Sequence, residues 1–179
     1  MLTMSPLSQM RNRLTLIFAA VFGFVSIGLA PAYAVDERVI DVVEVTWAGA
    51  PAPAGDAKKV ASVIDTEVNA DWKKYTTMFG DTKDRTVSFK TGKVLETQIT
   101  LVSKMACVGI ASSEFMRSIR PEAYSRLGIT DYSERYLVVV APKAGCVWSG
   151  RAQLGGAKSK SGTLILHDSA SSFVISHEL

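Results

Sequence analysis

The residues of this chain that point most directly to chemistry are the adjacent His177 and Glu178. They follow an apolar, helix-compatible run (Phe173, Val174, Ile175) and form the first half of the pattern H-E-x-x-H. In a helix, positions i and i+4 lie on one face, so two His side chains at that spacing reach one metal ion. The Glu between them then touches the metal-bound water. Zinc lowers the pKa of that water toward about 7, where a carboxylate can take its proton. On this reading His177 is a zinc ligand and Glu178 the general base. The second His would lie two residues past Leu179, so the chain offers one ligand and one base, and little or no activity is expected of it alone.

A His-Glu dipeptide by itself is most often a surface feature of a helix. Context raises its weight here, because the chain has only 2 His and the preceding turn is apolar. The other histidine, His167, lies at a strand–helix junction and reads as a loop or capping residue. Asp168 or Ser169 is expected to cap the final helix, starting near Ala170. Arg151 and Gln153 could line a cleft, and solvated loop residues are the preferred reading. Gly155-Gly156 permits close backbone approach, as of a peptide along an edge strand, and an ordinary turn explains it equally well.

These residues need elements to position them. Residues 38–47 are rich in Val and Ile and predict a strand. The breaker Ala50-Pro51-Ala52-Pro53-Ala54-Gly55 reads as a loop inside the domain. Val60, Ile64, Val68, Trp72, Tyr75 and Phe79 recur at three or four residues and predict a helix from about Asp56 to Phe79, ended by Gly80. Arg85–Lys90, a turn at Thr91-Gly92 and Val94–Val102 predict two successive strands. A helix over about Val108–Leu127 follows, divided at Pro121 and ended by Gly128. Its buried face is expected to carry Ile110, Phe115, Met116, Ile119, Ala123 and Leu127. Tyr136–Val140 is a continuous apolar run, typical of a strand covered on both faces. A polar, glycine-containing loop is expected over Gly145–Gly156, an exposed turn over Lys158–Gly162, and a short strand over Thr163–Leu166. The order β-α-β-β-α-β-β-α implies an α/β (α+β) domain with a mixed sheet and helices against it.

Composition bounds the setting. The chain has 179 residues, 47% hydrophobic and 21% charged, as expected of a globular domain. Net charge is +3, with Arg11 and Arg13 in a leader that has no acids, so nothing favours nucleic acid or an anionic membrane as partner. Leu14–Leu29 is an uncharged apolar run, and Ala32-Tyr33-Ala34 fits signal peptidase, so residues 1–34 read as a signal peptide and 35–179 as the exported chain. An uncleaved anchor is the alternative. Cys107 and Cys146 form an even pair, which in an exported protein suggests a disulfide. Two free buried thiols are the alternative, and neither cysteine has zinc-site spacing.

From Tyr136 to Leu179 the sequence resembles the approach to the active site in metzincin-type zinc metallopeptidases, gametolysin-like secreted ones above all. The residues that carry the resemblance are Tyr136–Val140, then Gly145-Cys146-Val147-Trp148-Ser149-Gly150 with Leu154-Gly155-Gly156, and Val174-Ile175-Ser176-His177-Glu178-Leu179. Upstream the likeness is loose, though compatible with the N-terminal subdomain of that zincin fold. The resemblance implies a secreted zinc-dependent endopeptidase acting on protein or peptide substrates. It also implies an active-site helix that continues as H-E-x-x-H-x-x-G-x-x-H, or with a final Asp, and then a methionine turn. Only His177 and Glu178 carry over. Residues 35–179 are thus expected to be the N-terminal part of such a catalytic domain. Two other readings stand beside this one: a non-catalytic exported binding protein that ends in His-Glu-Leu by chance, and an endoplasmic-reticulum retrieval tail, which requires exposed final residues.

Overall fold

The computed structural model describes residues 34–53, 56–78, 85–143, 145–155, 160–167 and 171–179. The leader, Gly80, Gly156, Lys158 and the capping candidates Asp168 and Ser169 lie outside them. Strand β1 (Ala34–Thr46) begins at the residue after which cleavage is expected. Helix α1 (Ala57–Val63) passes through a π-helical turn (Ile64–Val68) into α2 (Asn69–Met78). Strands β2 (Arg85–Val94) and β3 (Ile99–Thr100) follow, then helices α3 (Cys107–Ile110) and α4 (Ser113–Leu127). Strands β4 (Arg135–Val140), β5 (Gly150–Leu154) and β6 (Gly162–Leu166) lead to helix α5 (Ser172–Glu178).

The strands form one mixed sheet in the order β2-β1-β4-β6-β5, with β3 beside the end of β1. All neighbours are parallel except β5, which runs antiparallel to β6 at the edge. Alternation along each strand sends side chains to opposite faces. Ile40, Val42, Tyr136, Val138, Leu164 and Leu166 face α1, the π turn and α5. Val43, Val45, Leu137, Val139 and Ile165 face α3 and α4. The result is a helix–sheet–helix sandwich, and the parallel central strands, buried on both sides, read as unbroken apolar runs.

The first helix forms as its stripe predicts, with Asp56 accepting from the Lys59 amide at 2.6 Å. Its π turn has a cause in the sequence. Val60, Ile64, Val68 and Trp72 are spaced by fours, which on a pure α-helix drifts by about 40° at each step. The wider turn absorbs the drift, so Val60, Ile64 and Val68 all stay fully buried. The buried stripe then fades: Trp72 packs edge-on to Phe89, and Tyr75 is half exposed.

Three expectations are corrected. Thr91-Gly92 is no turn: β2 continues through it to Val94, and of the rest of the expected second strand only Ile99–Thr100 forms. Gly92 is needed for close approach instead. A Cβ there would lie 2.5 Å from both Asp41 Oδ1 and Arg135 Nη2. Asp41, fully buried, takes Arg135 through Nε at 2.7 Å and Nη2 at 2.6 Å and accepts from the Lys93 amide at 2.7 Å. This charge-assisted network raises the pKa of Arg135 and sits at a bulge, where the β1–β2 register shifts between Ile40 and Val42.

The second helix divides not at Pro121 but at Ala111-Ser112. There the Ser112 hydroxyl accepts from the Phe115 amide at 3.1 Å and starts α4 afresh. Pro121 and Arg117 both lie on the exposed side, so the carbonyl that Pro121 cannot serve is open to water. The buried face of α3 and α4 is the expected one. Lastly, the expected loop Gly145–Gly156 contains strand β5.

Candidate functional site

Helix α5 is capped by Ser171, whose hydroxyl accepts from the Val174 amide at 3.4 Å. It starts at Ser172, about two residues later than expected. Ile175 and Leu179 are buried on the face that meets the π turn. That burial argues against the retrieval-tail reading, which needs free final residues. His177 lies on the exposed side, its ring stacked on Phe173 with centroids 6.3 Å apart. Glu178 is half-buried between these faces.

The neighbour of Glu178 is the edge strand. A Cβ on Gly150 would come 2.7 Å from Val174 Cγ1 and 3.4 Å from Glu178 Cγ. Only a glycine lets α5 lie this close, and the stem of Glu178 therefore rests against the first residue of β5.

The hydrogen-bond register of β5 follows from its ends. The His167 amide donates to Ser149 O and the Gly155 amide to Ser161 O, both at 3.1 Å. In an antiparallel pair alternate residues exchange both bonds with the partner. Arg151 and Gln153 therefore turn their backbone groups to β6, while Gly150, Ala152 and Leu154 turn theirs outward. Those outward groups have no partner among the described residues. An unpaired edge of this kind is a template for an added strand.

The loop before β5 is held from two sides. Cys107 and Cys146 form a disulfide with Cα atoms 5.1 Å apart, tying the loop to α3. His167 lies in the bend just after β6, as a loop residue, but it is buried to 1% exposure and caps no helix; Ser171 caps α5. Its Nε2 hydrogen-bonds to the Trp148 carbonyl, and its ring meets the Trp148 indole edge-on at 4.5 Å. His167 and His177 thus serve different places.

A catalytic zinc site uses three protein ligands. Among the described residues no three His, Cys, Asp or Glu side chains converge. His177 supplies one accessible imidazole and Glu178 one carboxylate, so the residues present do not by themselves make a zinc site. Two residues that shape the region, Gly150 and Ala152, are read in the sequence only as parts of a loop, and their strand escapes that reading. The one available signal was a five-residue stretch, Gly150–Leu154, followed by a glycine and able to pair. No family model, curated protein or solved structure matches this chain.

Proposed function

We propose that this chain is the N-terminal part of a secreted zinc-dependent metalloendopeptidase of the metzincin, gametolysin-like type, with His177 as first zinc ligand and Glu178 as general base. The observation that carries the reading is the placement of the pair. An accessible imidazole and a carboxylate sit side by side on a helix otherwise anchored in the core, and the carboxylate stem touches an open strand edge. A peptide added to that edge would run beside Glu178, the arrangement a peptide-cleaving site needs. The Cys107–Cys146 disulfide supports an oxidising compartment, consistent with export. Zinc, when bound, would supply a water acidic enough for a carboxylate to deprotonate. The remaining ligands would come from residues beyond Leu179.

The purified 179-residue chain is expected to show no zinc-dependent caseinolysis. Activity abolished by Glu178→Gln would overturn that expectation. The reading frame after codon 179 tests the identity. Two residues and then a His, followed by a glycine and a further ligand, support the peptidase. A stop codon in an intact gene supports a non-catalytic exported binding protein instead.

A further inference from the structure

The sheet has two edges, and they are treated differently. At the β2 edge, the Phe89 amide donates to Asn69 Oδ1 at 3.2 Å and the Thr91 amide to Asp65 Oδ1 at 2.7 Å. Side chains from the adjoining π turn and α2 thus cover two of the outward donors, a known device against strand addition. At the β5 edge, Gly150, Ala152 and Leu154 leave theirs uncovered among the described residues. Among the described residues, the edge next to Glu178 is therefore the more open of the two.

Side-chain alternation splits β5 into two rows. Ala152 packs into the core face shared with α5. Arg151 and Gln153 point to the other side and are exposed. The Arg38, Arg126 and Arg135 guanidinium groups each hold a carboxylate, whereas Arg151 makes no ion pair with any described residue. Its backbone groups serve β6, so the residue of an added antiparallel strand that faces it would sit in a non-hydrogen-bonded pair, the closer kind, with side chains about 4.5–5.5 Å apart at Cβ. At that spacing a guanidinium reaches a carboxylate on the incoming strand.

We propose that Arg151 is a specificity determinant: it selects peptides with Asp or Glu at the position facing it when they add to β5. This rests on the peptidase reading above and names its substrate class. Because Gly150 adjoins Glu178, the selected acidic residue lies about one residue along the strand from the proposed base. Its side chain points away from α5, and its two neighbours point toward α5.

The experiment uses the 179-residue chain, ¹⁵N-labelled, and two ten-residue extended peptides that differ only by Glu or Gln at the centre. Both peptides are expected to shift the amide signals of Gly150, Ala152 and Leu154. At low salt the Glu peptide is expected to bind about threefold tighter, the size of an exposed cross-strand ion pair. In Arg151→Gln the two affinities become equal, and in Arg151→Glu the Gln peptide becomes the tighter ligand. Arg151 is exposed, so these variants keep the fold. Equal affinities for wild type, or a preference unchanged in Arg151→Gln, overturn the inference and leave the edge as a peptide site. If neither peptide moves the three amides, the open edge does not take peptides, and the peptidase reading falls with the inference. Concentration-dependent shifts of the same amides without peptide would mark a second copy as the occupant and likewise overturn the inference.

Discussion

Substituting Gly150 by Ala tests how closely helix α5 and strand β5 are fitted. The added Cβ would sit 2.7 Å from Val174 Cγ1, against an ordinary carbon–carbon contact of about 3.5–4.0 Å. The helix and strand must separate by about an ångström, or Val174 must leave its rotamer. Overpacking of this kind costs about 1–3 kcal/mol. A smaller opposing contribution, about 0.4–1 kcal/mol, comes from restricting the unfolded chain. The net expectation is a loss of about 1–2 kcal/mol, or about 2–8 °C in Tm for a domain of this size. The Glu178 and Leu166 contacts at 3.4 Å are near ordinary packing, so Val174 carries the clash. Val174→Ala removes the colliding methyl and costs about 1 kcal/mol by itself. In Gly150→Ala/Val174→Ala the clash is gone, so the double variant should be about as stable as Val174→Ala alone. Urea unfolding of the four proteins measures the coupling, expected at about 1–2 kcal/mol. The Glu178 amide resonance should move in Gly150→Ala and return in the double variant. Simple additivity of the two substitutions would refute the close fit and, with it, the idea that Gly150 seats Glu178.

Two further outcomes are expected. Replacing both Cys107 and Cys146 by Ser opens a cross-link spanning 39 residues, which in the chain-entropy picture costs about 4 kcal/mol; calorimetry of oxidised and reduced protein checks it, and equal Tm values would refute it. Asp36 is ion-paired with Lys160 at 3.0 Å and with Arg38 at 3.2 Å. The Lys160 ammonium holds its carboxyl below the usual range, opposed by partial burial and aided by Arg38. A lowered folded pKa means stability present above the unfolded value, near 3.9, and lost as pH falls through the folded value. Asp36→Asn should therefore flatten the acid limb of a stability–pH curve and leave its slope above pH 6 unchanged. An unchanged acid limb would count against the pairing.

Much of the fold was legible because its signals are local. The stripe Val60–Val68 and the apolar runs Tyr136–Val140 and Thr163–Leu166 are written in consecutive residues, and all appear as expected. The failures share a cause. Thr91-Gly92 looks like a turn because the reason for Gly92 lies in Asp41 and Arg135, far away in sequence. Strand β5 looks like a loop because it is short, polar and half-exposed, and its pairing with β6 supplies what its composition does not. His167 does lie in a bend, as one of its two readings has it, but its burial was not legible, because its partner is a main-chain carbonyl, at Trp148, which no side-chain pattern announces. At the candidate site the types and spacing of His177 and Glu178 were readable. Their neighbour Gly150 was not, since a close approach leaves no trace in sequence beyond the glycine itself.

The unequal edges of the sheet also limit how copies of this chain could associate. With Asn69 and Asp65 taking two outward amides of β2, β5 is, among the described residues, the more open edge for sheet growth. Two copies meeting through β5 would lie antiparallel about a twofold axis and use up both open ends. Such an assembly closes at the dimer. The open-ended stacking that builds fibrils requires an edge on each side of every copy, and among the described residues the β2 side is the one that is partly covered.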